Sequence, residues 1–218
     1  MTEPTPMPED APTPLLEAEG LVSYRGDRSL FSDVGLTLSP GEVLQVHGPN
    51  GSGKTTLLRI LCGLSEPTEG TVRWRGQMVG SQSWDYFGEL LYVGHASGVK
   101  LELTPVENLR VARALSGNPT ETSIEQALER LNLYGFEDVP ARTLSAGQRR
   151  RVALARLLIT KATLWIVDEP FTSLDVAGTK VMEEMIHKQL ADGGMAVLTS
   201  HQPVRLPKDP AKELYLAG

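Results

Sequence analysis

Short apolar runs bounded by turn residues mark strands towards both ends of the chain. One of these runs ends directly at a Gly-rich segment that begins at Gly48. Apolar residues at helical spacing follow that segment and recur near the C-terminal end, which predicts helices over 54–61 and 176–191. The predicted strands cover 15–24, 30–38, 43–47, 71–75, 90–93, 163–167 and 195–199.

The middle of the chain carries helix-start signals. In each signal a Ser or Thr is followed three residues later by Glu or Gln, as in a capping box, and an apolar helical pattern comes next. These signals predict a helical subdomain over about 84–160, inserted into an α/β core with a mostly parallel sheet flanked by helices. The predicted boxes are Thr104 with Glu107, Thr122 with Glu125, and Ser145 with Gln148.

Composition narrows the class of protein. Of the 218 residues, 40% are hydrophobic and 22% are charged, which is typical of a globular protein. No apolar run approaches the ~20 residues of a membrane-spanning helix. The prolines near the N-terminus predict a disordered leader over 1–14, followed by a single domain over 15–218. The one cysteine, Cys62, cannot form a disulfide within the chain, which favours a reducing compartment.

The net charge argues against nucleic acid as a partner. Lys and Arg number 21 against 27 Asp and Glu, and the resulting charge of −6 does not suit a protein that neutralises phosphates. A basic run, Arg149, Arg150 and Arg151 with Arg156, lies on a predicted helix. We interpret it as a local polar face of that helix.

A phosphate-binding loop is predicted between the strand 43–47 and the helix 54–61. Its glycines allow successive backbone N–H groups to point at one anion, and the helix N-terminus adds favourable potential. Lys54 is predicted to neutralise the β- and γ-phosphates of a nucleotide, and Thr55 to ligate Mg²⁺. The loop reads Gly48, Pro49, Asn50, Gly51, Ser52, Gly53, Lys54, Thr55.

Two carboxylates end the apolar strand 163–167. A buried strand tip is a costly place for adjacent acids unless a cation or substrate lies near them. Asp168 is therefore the predicted partner of Mg²⁺, and Glu169 the predicted general base that polarises the attacking water.

The segment 144–148, Leu-Ser-Ala-Gly-Gln, opens a predicted helix shortly before the carboxylate strand. The Ser145 hydroxyl and the first free N–H groups of the helix form a second predicted anion site, and Gly147 permits close approach of another backbone or a phosphate. With the phosphate loop, this segment makes 15–201 resemble the ATP-binding subunit of ATP-binding cassette (ABC) transporters. The resemblance implies a P-loop NTPase core with an N-terminal antiparallel β-subdomain and a helical signature subdomain.

By this resemblance, two chains would pack head to tail as a homodimer and trap two ATP molecules with Mg²⁺. Each ATP would lie between the phosphate loop of one chain and Ser145 and Gly147 of the other. Catalytic roles are implied for Glu169 and for His201, which would contact the γ-phosphate, and metal ligation for Thr55 and Asp168. Nucleotide contacts are implied for Tyr24 stacking on adenine, for the loop residues Gly48, Pro49, Asn50, Gly51, Ser52, Gly53, Lys54, Thr55 and Thr56, and for His95, Ser145, Gly147, Gln148 and Asp175.

His95 stands where the family usually has a glutamine that touches Mg²⁺ or water. A histidine can replace it only through an unprotonated ring nitrogen. With this histidine, the chain resembles the ATP-binding subunits of the bacterial cytochrome c biogenesis haem export system. The resemblance rests also on Tyr-Val-Gly-His at 92–95, Phe-Glu-Asp-Val-Pro at 136–140 and Ser-His-Gln-Pro at 200–203. That branch implies integral membrane subunits as partners and a peripheral position on the cytoplasmic face of the inner membrane.

Two other functions remain open from the sequence. The chain could serve a different ABC exporter, for drugs or lipids, because the branch motifs are less specific than the segment 144–148. It could also be a soluble ABC protein that acts in translation or DNA repair. Such proteins carry two cassettes or a long coiled-coil insertion, and this sequence has neither.

Overall fold

The computed structural model describes residues 14–80, 82–200 and 212–217. The predicted leader, apart from Pro14, and His201 lie outside these residues. In chain order the strands are β1 Leu16–Arg25, β2 Arg28–Leu38, β3 Val43–His47, β4 Glu69–Trp74, β5 Gln77–Met78, β6 Leu90–Val93, β7 Leu164–Val167, β8 Met195–Thr199 and β9 Lys212–Tyr215. The α-helices are α1 Lys54–Leu61, α2 Trp84–Glu89, α3 Pro105–Ser116, α4 Ile124–Arg130, α5 Ala146–Ile159 and α6 Val176–Ala191.

The strands form two sheets of different kinds. The antiparallel sheet has the order β2-β1-β4-β5, and the parallel sheet has the order β6-β7-β8-β3-β9. Every residue of β7 and β8 is buried, as expected of parallel strands covered on both faces. The expected α/β architecture with an N-terminal antiparallel sheet is therefore confirmed.

Alternate residues of the parallel strands pack into two separate hydrophobic clusters, one on each face of the sheet. Leu164 and Ile166 of β7 face α1 and the antiparallel sheet, whereas Trp165 and Val167 face α3 to α6. The period of two along a strand produces this division. Because parallel strands end at one edge of their sheet, the loops after β3, β6, β7 and β8 are brought together there.

One sequence expectation needs correction. Helix α4 begins at Ile124, and the capping box is formed by Ser123 and Gln126, so the prediction of Thr122 with Glu125 was one residue early. The apolar residues Ile124, Ala127 and Leu128 share the buried face of α4. Inside the range 84–160, β6 pairs with β7 in the parallel sheet, and the helices that pack on one another run from α3 to α5. The short strands β5 and β9 were not predicted.

No helix among the described residues is long and apolar enough to cross a membrane.

Candidate nucleotide site

The loop between β3 and α1 has the conformation that a phosphate site requires. Gly53, which precedes α1, has φ 96, and a Cβ at this position would lie 2.9 Å from Cδ1 of Phe31. No side chain caps the N-terminus of α1, so its first N–H groups are left for an anion. The Lys54 ammonium lies across the loop and donates to the carbonyl oxygens of Gly48, at 2.7 Å, and Pro49, at 3.1 Å. When a nucleotide binds, the Lys54 ammonium would donate to phosphate oxygens in place of these carbonyl oxygens.

Asp168 is joined to the phosphate loop by hydrogen bonds. The Thr55 hydroxyl donates to Oδ2 at 2.8 Å, and the Thr199 hydroxyl donates to Oδ1 at 2.6 Å. Asp168 is only 2% exposed, whereas Thr55 is exposed to solvent. The structure therefore places the two predicted Mg²⁺ ligands side by side, although they are 113 residues apart in sequence.

Hard oxygen donors of this kind fit Mg²⁺. The ion is usually held by one or two carboxylates together with substrate phosphates and water. Within the described residues there is no group of three His, Cys, Asp or Glu that could hold a metal by itself. Thr55 and Asp168 would thus hold Mg²⁺ only together with the phosphates of a bound nucleotide.

Glu169 adopts a strained backbone conformation beside Asp168. Its φ is 52, in the left-handed region that a side chain other than glycine rarely occupies. Its N–H donates to the Thr199 hydroxyl at 2.7 Å, and its carboxylate oxygen Oε2 accepts from the Thr172 hydroxyl at 3.0 Å. Strain of this kind persists only where surrounding contacts enforce it, and it is common at active sites.

Arg150 lies in this site, and the sequence interpretation missed it. Its guanidinium donates to the carbonyl oxygens of Gly94, at 2.6 Å, of Asp168, and of Glu169, at 3.2 Å. The residue is 7% exposed, and burial lowers its pKa, against the nearby carboxylates of Asp168 and Glu169, which raise it. Interpreting the whole basic run as a polar face was therefore wrong for Arg150. The sequence does contain a signal for burial of Arg150. At helical spacing it shares a face with Ala153, Leu154 and Leu157, which are all buried.

The segment 144–148 forms a second cluster. Ser145 caps α5 and accepts from the Gln148 N–H at 3.1 Å, while the Gln148 side chain accepts from the Ser145 N–H at 2.8 Å. Ser145 and Ala146 are exposed. A Cβ at Gly147 would lie 3.1 Å from the Ser173 carbonyl oxygen, so this helix packs closely on the loop after β7. Within the described part of the chain, no hydrogen bond or ion pair joins this segment to the phosphate loop.

Asp175 belongs to this second cluster. It caps α6 by accepting from the Gly178 N–H at 2.7 Å, and it pairs with Arg151 of α5 at 3.0 Å. The Gly178 N–H, and after it Arg151, hold the pKa of Asp175 below its usual value. In a single chain, Asp175 is thus tied to the helix that carries Ser145 and Gly147.

The remaining predicted nucleotide contacts have different surroundings. Tyr24, near the end of β1, is 52% exposed, so its ring is available for stacking. His95 is exposed and follows β6, whose last residue, Val93, accepts from the Asp168 N–H at 2.9 Å. His95 therefore lies at the sheet edge that carries the two carboxylates.

Comparison with known proteins agrees with this geometry. The chain belongs to the ABC transporter family, whose family model matches residues 31–172. Within that family it is similar to the protein named cytochrome c biogenesis ATP-binding export protein CcmA from Methylococcus capsulatus. The two are 56% identical over 201 residues, which cover 92% of this chain and 96% of the relative. ABC-type ATP hydrolysis is accordingly the activity of this chain.

Two solved structures have the same fold. The ATP-binding subunit of an ABC transporter superimposes with a TM-score of 0.76 at 27% identity, covering 86% of this chain and 79% of that one. A dimeric bacterial ABC transporter cassette superimposes with a TM-score of 0.75 at 23% identity, covering 93% and 94%.

Proposed function

We propose that the chain is the ATP-hydrolysing subunit of a bacterial cytochrome c biogenesis system for haem export, in which it drives integral membrane subunits from the cytoplasmic face of the inner membrane. The observation that carries this proposal is the identity of 56% to a cytochrome c biogenesis export protein over nearly the whole chain. The site described above supplies the chemistry of hydrolysis.

In this proposal the β- and γ-phosphates of ATP lie in the loop 48–55, against the N-terminus of α1 and Lys54. Thr55 and Asp168 hold Mg²⁺, which neutralises charge that develops on the phosphates. Glu169 accepts a proton from the attacking water as general base. His201 and His95 remain proposed contacts of the γ-phosphate and of water.

The role of Glu169 is tested by Glu169→Gln, which keeps the shape of the side chain and removes the base. We expect ATP binding to persist, turnover at saturating MgATP to fall by at least about 100-fold, and an ATP-bound dimer to accumulate. The matched control is Glu129→Gln, at an exposed carboxylate on α4, which should turn over at the wild-type rate. Wild-type turnover in Glu169→Gln would refute the assignment.

The composite dimer site is supported by the geometry of Ser145. The capped N-terminus of α5 is exposed and is tied to Asp175 and Ser173 rather than to the phosphate loop of its own chain. Such a terminus suits the γ-phosphate of an ATP held by a second copy of the chain. The dimeric cassette with a similar fold supports the same arrangement.

Ser145→Arg in the Glu169→Gln background tests the composite site. We expect each chain to bind ATP normally but to stay monomeric by light scattering, because the arginine occupies the space of the partner's phosphate. Ser123→Arg in the same background is the matched control, since Ser123 has the same capping box on α4 and the same helix-capping cost. Dimers of Ser145→Arg that form as readily as those of Ser123→Arg would contradict the composite site.

Co-purification separates the cytochrome c branch from a drug or lipid exporter. The tagged chain is expressed together with cytochrome c maturation membrane subunits and, in parallel, with the membrane subunit of a drug exporter. We expect retention of the first set alone. Retention of the drug exporter instead would move the chain to another branch of the family.

A further inference from the structure

Arg150 bridges the ends of two neighbouring strands of the parallel sheet. One end of its guanidinium donates to Gly94, directly after β6, and the other to Asp168 and Glu169, directly after β7. Its backbone belongs to α5, one turn beyond the Ser145 cap. A single buried side chain therefore connects the helix that carries Ser145 to the backbone that carries the proposed general base.

The peptide groups of Glu169 are held on both sides. On one side the N–H of Glu169 donates to the Thr199 hydroxyl, and on the other its carbonyl oxygen accepts from Arg150 and from the Thr172 N–H, each at 3.2 Å. Between these contacts the residue has φ 52. The left-handed conformation is unfavourable for a residue other than glycine. Loss of the Arg150 contact would leave fewer bonds to enforce it, and relaxation of the backbone would turn the carboxylate away.

An arginine suits this role better than another donor would. The planar guanidinium presents several N–H groups in a fixed fork, so it can bond carbonyl oxygens on two strands at once. Burial away from water makes these bonds strong, and no ion pair among the described residues competes for them.

We propose that Arg150 is a positioning residue that holds Glu169 in its left-handed conformation. The orientation of the Glu169 carboxylate, the general base, then depends on the position of helix α5. The proposal rests on the proposed function, in which Glu169 is the base. Arg150 itself need not touch ATP or water. Arg151 and Gly147 attach the same half of this helix to Asp175 and Ser173, so the N-terminal half of α5 contacts both the start and the end of the loop after β7.

The test is Arg150→Gln in the full chain, with turnover measured by phosphate release and ATP binding measured by equilibrium dialysis. We expect kcat to fall ~10- to 100-fold, because a displacement of about 1 Å at a catalytic group has an effect of this size. The Kd for ATP should stay within about twofold of wild type, since the phosphate loop is untouched. Arg150→Lys keeps the charge with a single donor centre, and we expect an intermediate kcat.

Arg156→Gln is the matched control. Arg156 lies on the same helix, and burial lowers its pKa as it does for Arg150. It makes no described hydrogen bond from its side chain to the ends of β6 and β7, and its Nε has no partner. We expect its kcat to match wild type. A loss in Arg150→Gln beyond that of Arg156→Gln therefore reports the position of Arg150 and not merely the removal of an arginine from α5.

A double variant separates positioning from general structural damage. If Arg150 acts through Glu169, Arg150→Gln should slow the Glu169→Gln variant by less than about twofold, because the base is already absent. A full additional ~10- to 100-fold loss in the double variant would overturn the inference. So would a kcat of Arg150→Gln equal to that of Arg156→Gln, or a loss of ATP binding parallel to the loss of turnover.

The two proposals fail in different ways. Wild-type turnover in Glu169→Gln alone refutes the general base and removes the basis of the positioning role. A slow Glu169→Gln with additive Arg150→Gln refutes only the role of Arg150. If Arg150→Gln does not yield folded protein, Arg150→Lys is used in the same comparison with Arg156→Gln and in the same double variant.

Discussion

The Thr199 hydroxyl holds both carboxylate residues of the site, and its removal should have a measurable cost. Thr199 is fully buried, donates to Asp168 Oδ1 at 2.6 Å and accepts from the Glu169 N–H at 2.7 Å. Thr199→Val keeps the shape of the side chain and removes both bonds. A hydrogen bond to a charged group contributes about 1.5–3 kcal/mol, and one between neutral groups about 0.5–1.5 kcal/mol. The expected loss in the free energy of unfolding is therefore about 2–4.5 kcal/mol.

The assay is thermal unfolding of wild type, Thr199→Val and Thr199→Ser. For a chain of this size 1 kcal/mol corresponds to a shift in melting temperature of roughly 2–4 °C, so Thr199→Val should melt roughly 4–18 °C below wild type. Thr199→Ser keeps the hydroxyl and loses one buried methyl group, at a cost of about 1 kcal/mol. The order of the two variants decides the outcome. If Thr199→Val is as stable as Thr199→Ser or more so, the hydroxyl does not hold the carboxylates as described.

Two further predictions concern the phosphate loop and a surface carboxylate. Gly53→Ala should weaken ATP binding by more than about tenfold, because Gly53 has a positive φ and lies close to the Phe31 ring. The control is Gly193→Ala, at φ 81 with no atom within 4 Å, which should bind ATP normally. Affinity is measured by titration with a fluorescent ATP analogue, and equal affinities of the two variants would contradict the prediction. Burial raises the pKa of Glu89, but hydrogen bonds from Arg75, Thr163 and Trp74 outweigh it and lower the net value. The stability that Glu89 contributes is therefore present above its unfolded pKa of ~4.3 and is lost as the pH falls through the lower folded pKa. Urea denaturation of Glu89→Gln should show a deficit against wild type at about pH 7 that shrinks towards about pH 3, and a constant deficit would contradict the reasoning.

Short-range patterns carried much of the fold and part of the site. The phosphate loop, the Ser145 cap and the carboxylate pair each consist of residues within a few positions of one another, and their local conformations follow from glycine, capping and strand chemistry. The bounds predicted for β3, α1, β6, α6 and β8 agree with the structure for the same reason. The cap of α4 was placed one residue early because Thr122 with Glu125 and Ser123 with Gln126 both match the capping-box pattern, and the structure forms the second.

Residue type alone could not show which distant groups meet. Thr55 and Asp168, Arg150 and Gly94, and Thr199 with the two carboxylates come together because the ends of parallel strands converge at one edge of the sheet. Arg150 looks like its two basic neighbours in the sequence, and only the packing of α5 on the sheet buries it among carbonyl oxygens. Short sequence motifs therefore identify the chemical groups of the site. The contacts between these groups, and the strained conformation of Glu169, depend on long-range packing that only the folded chain provides.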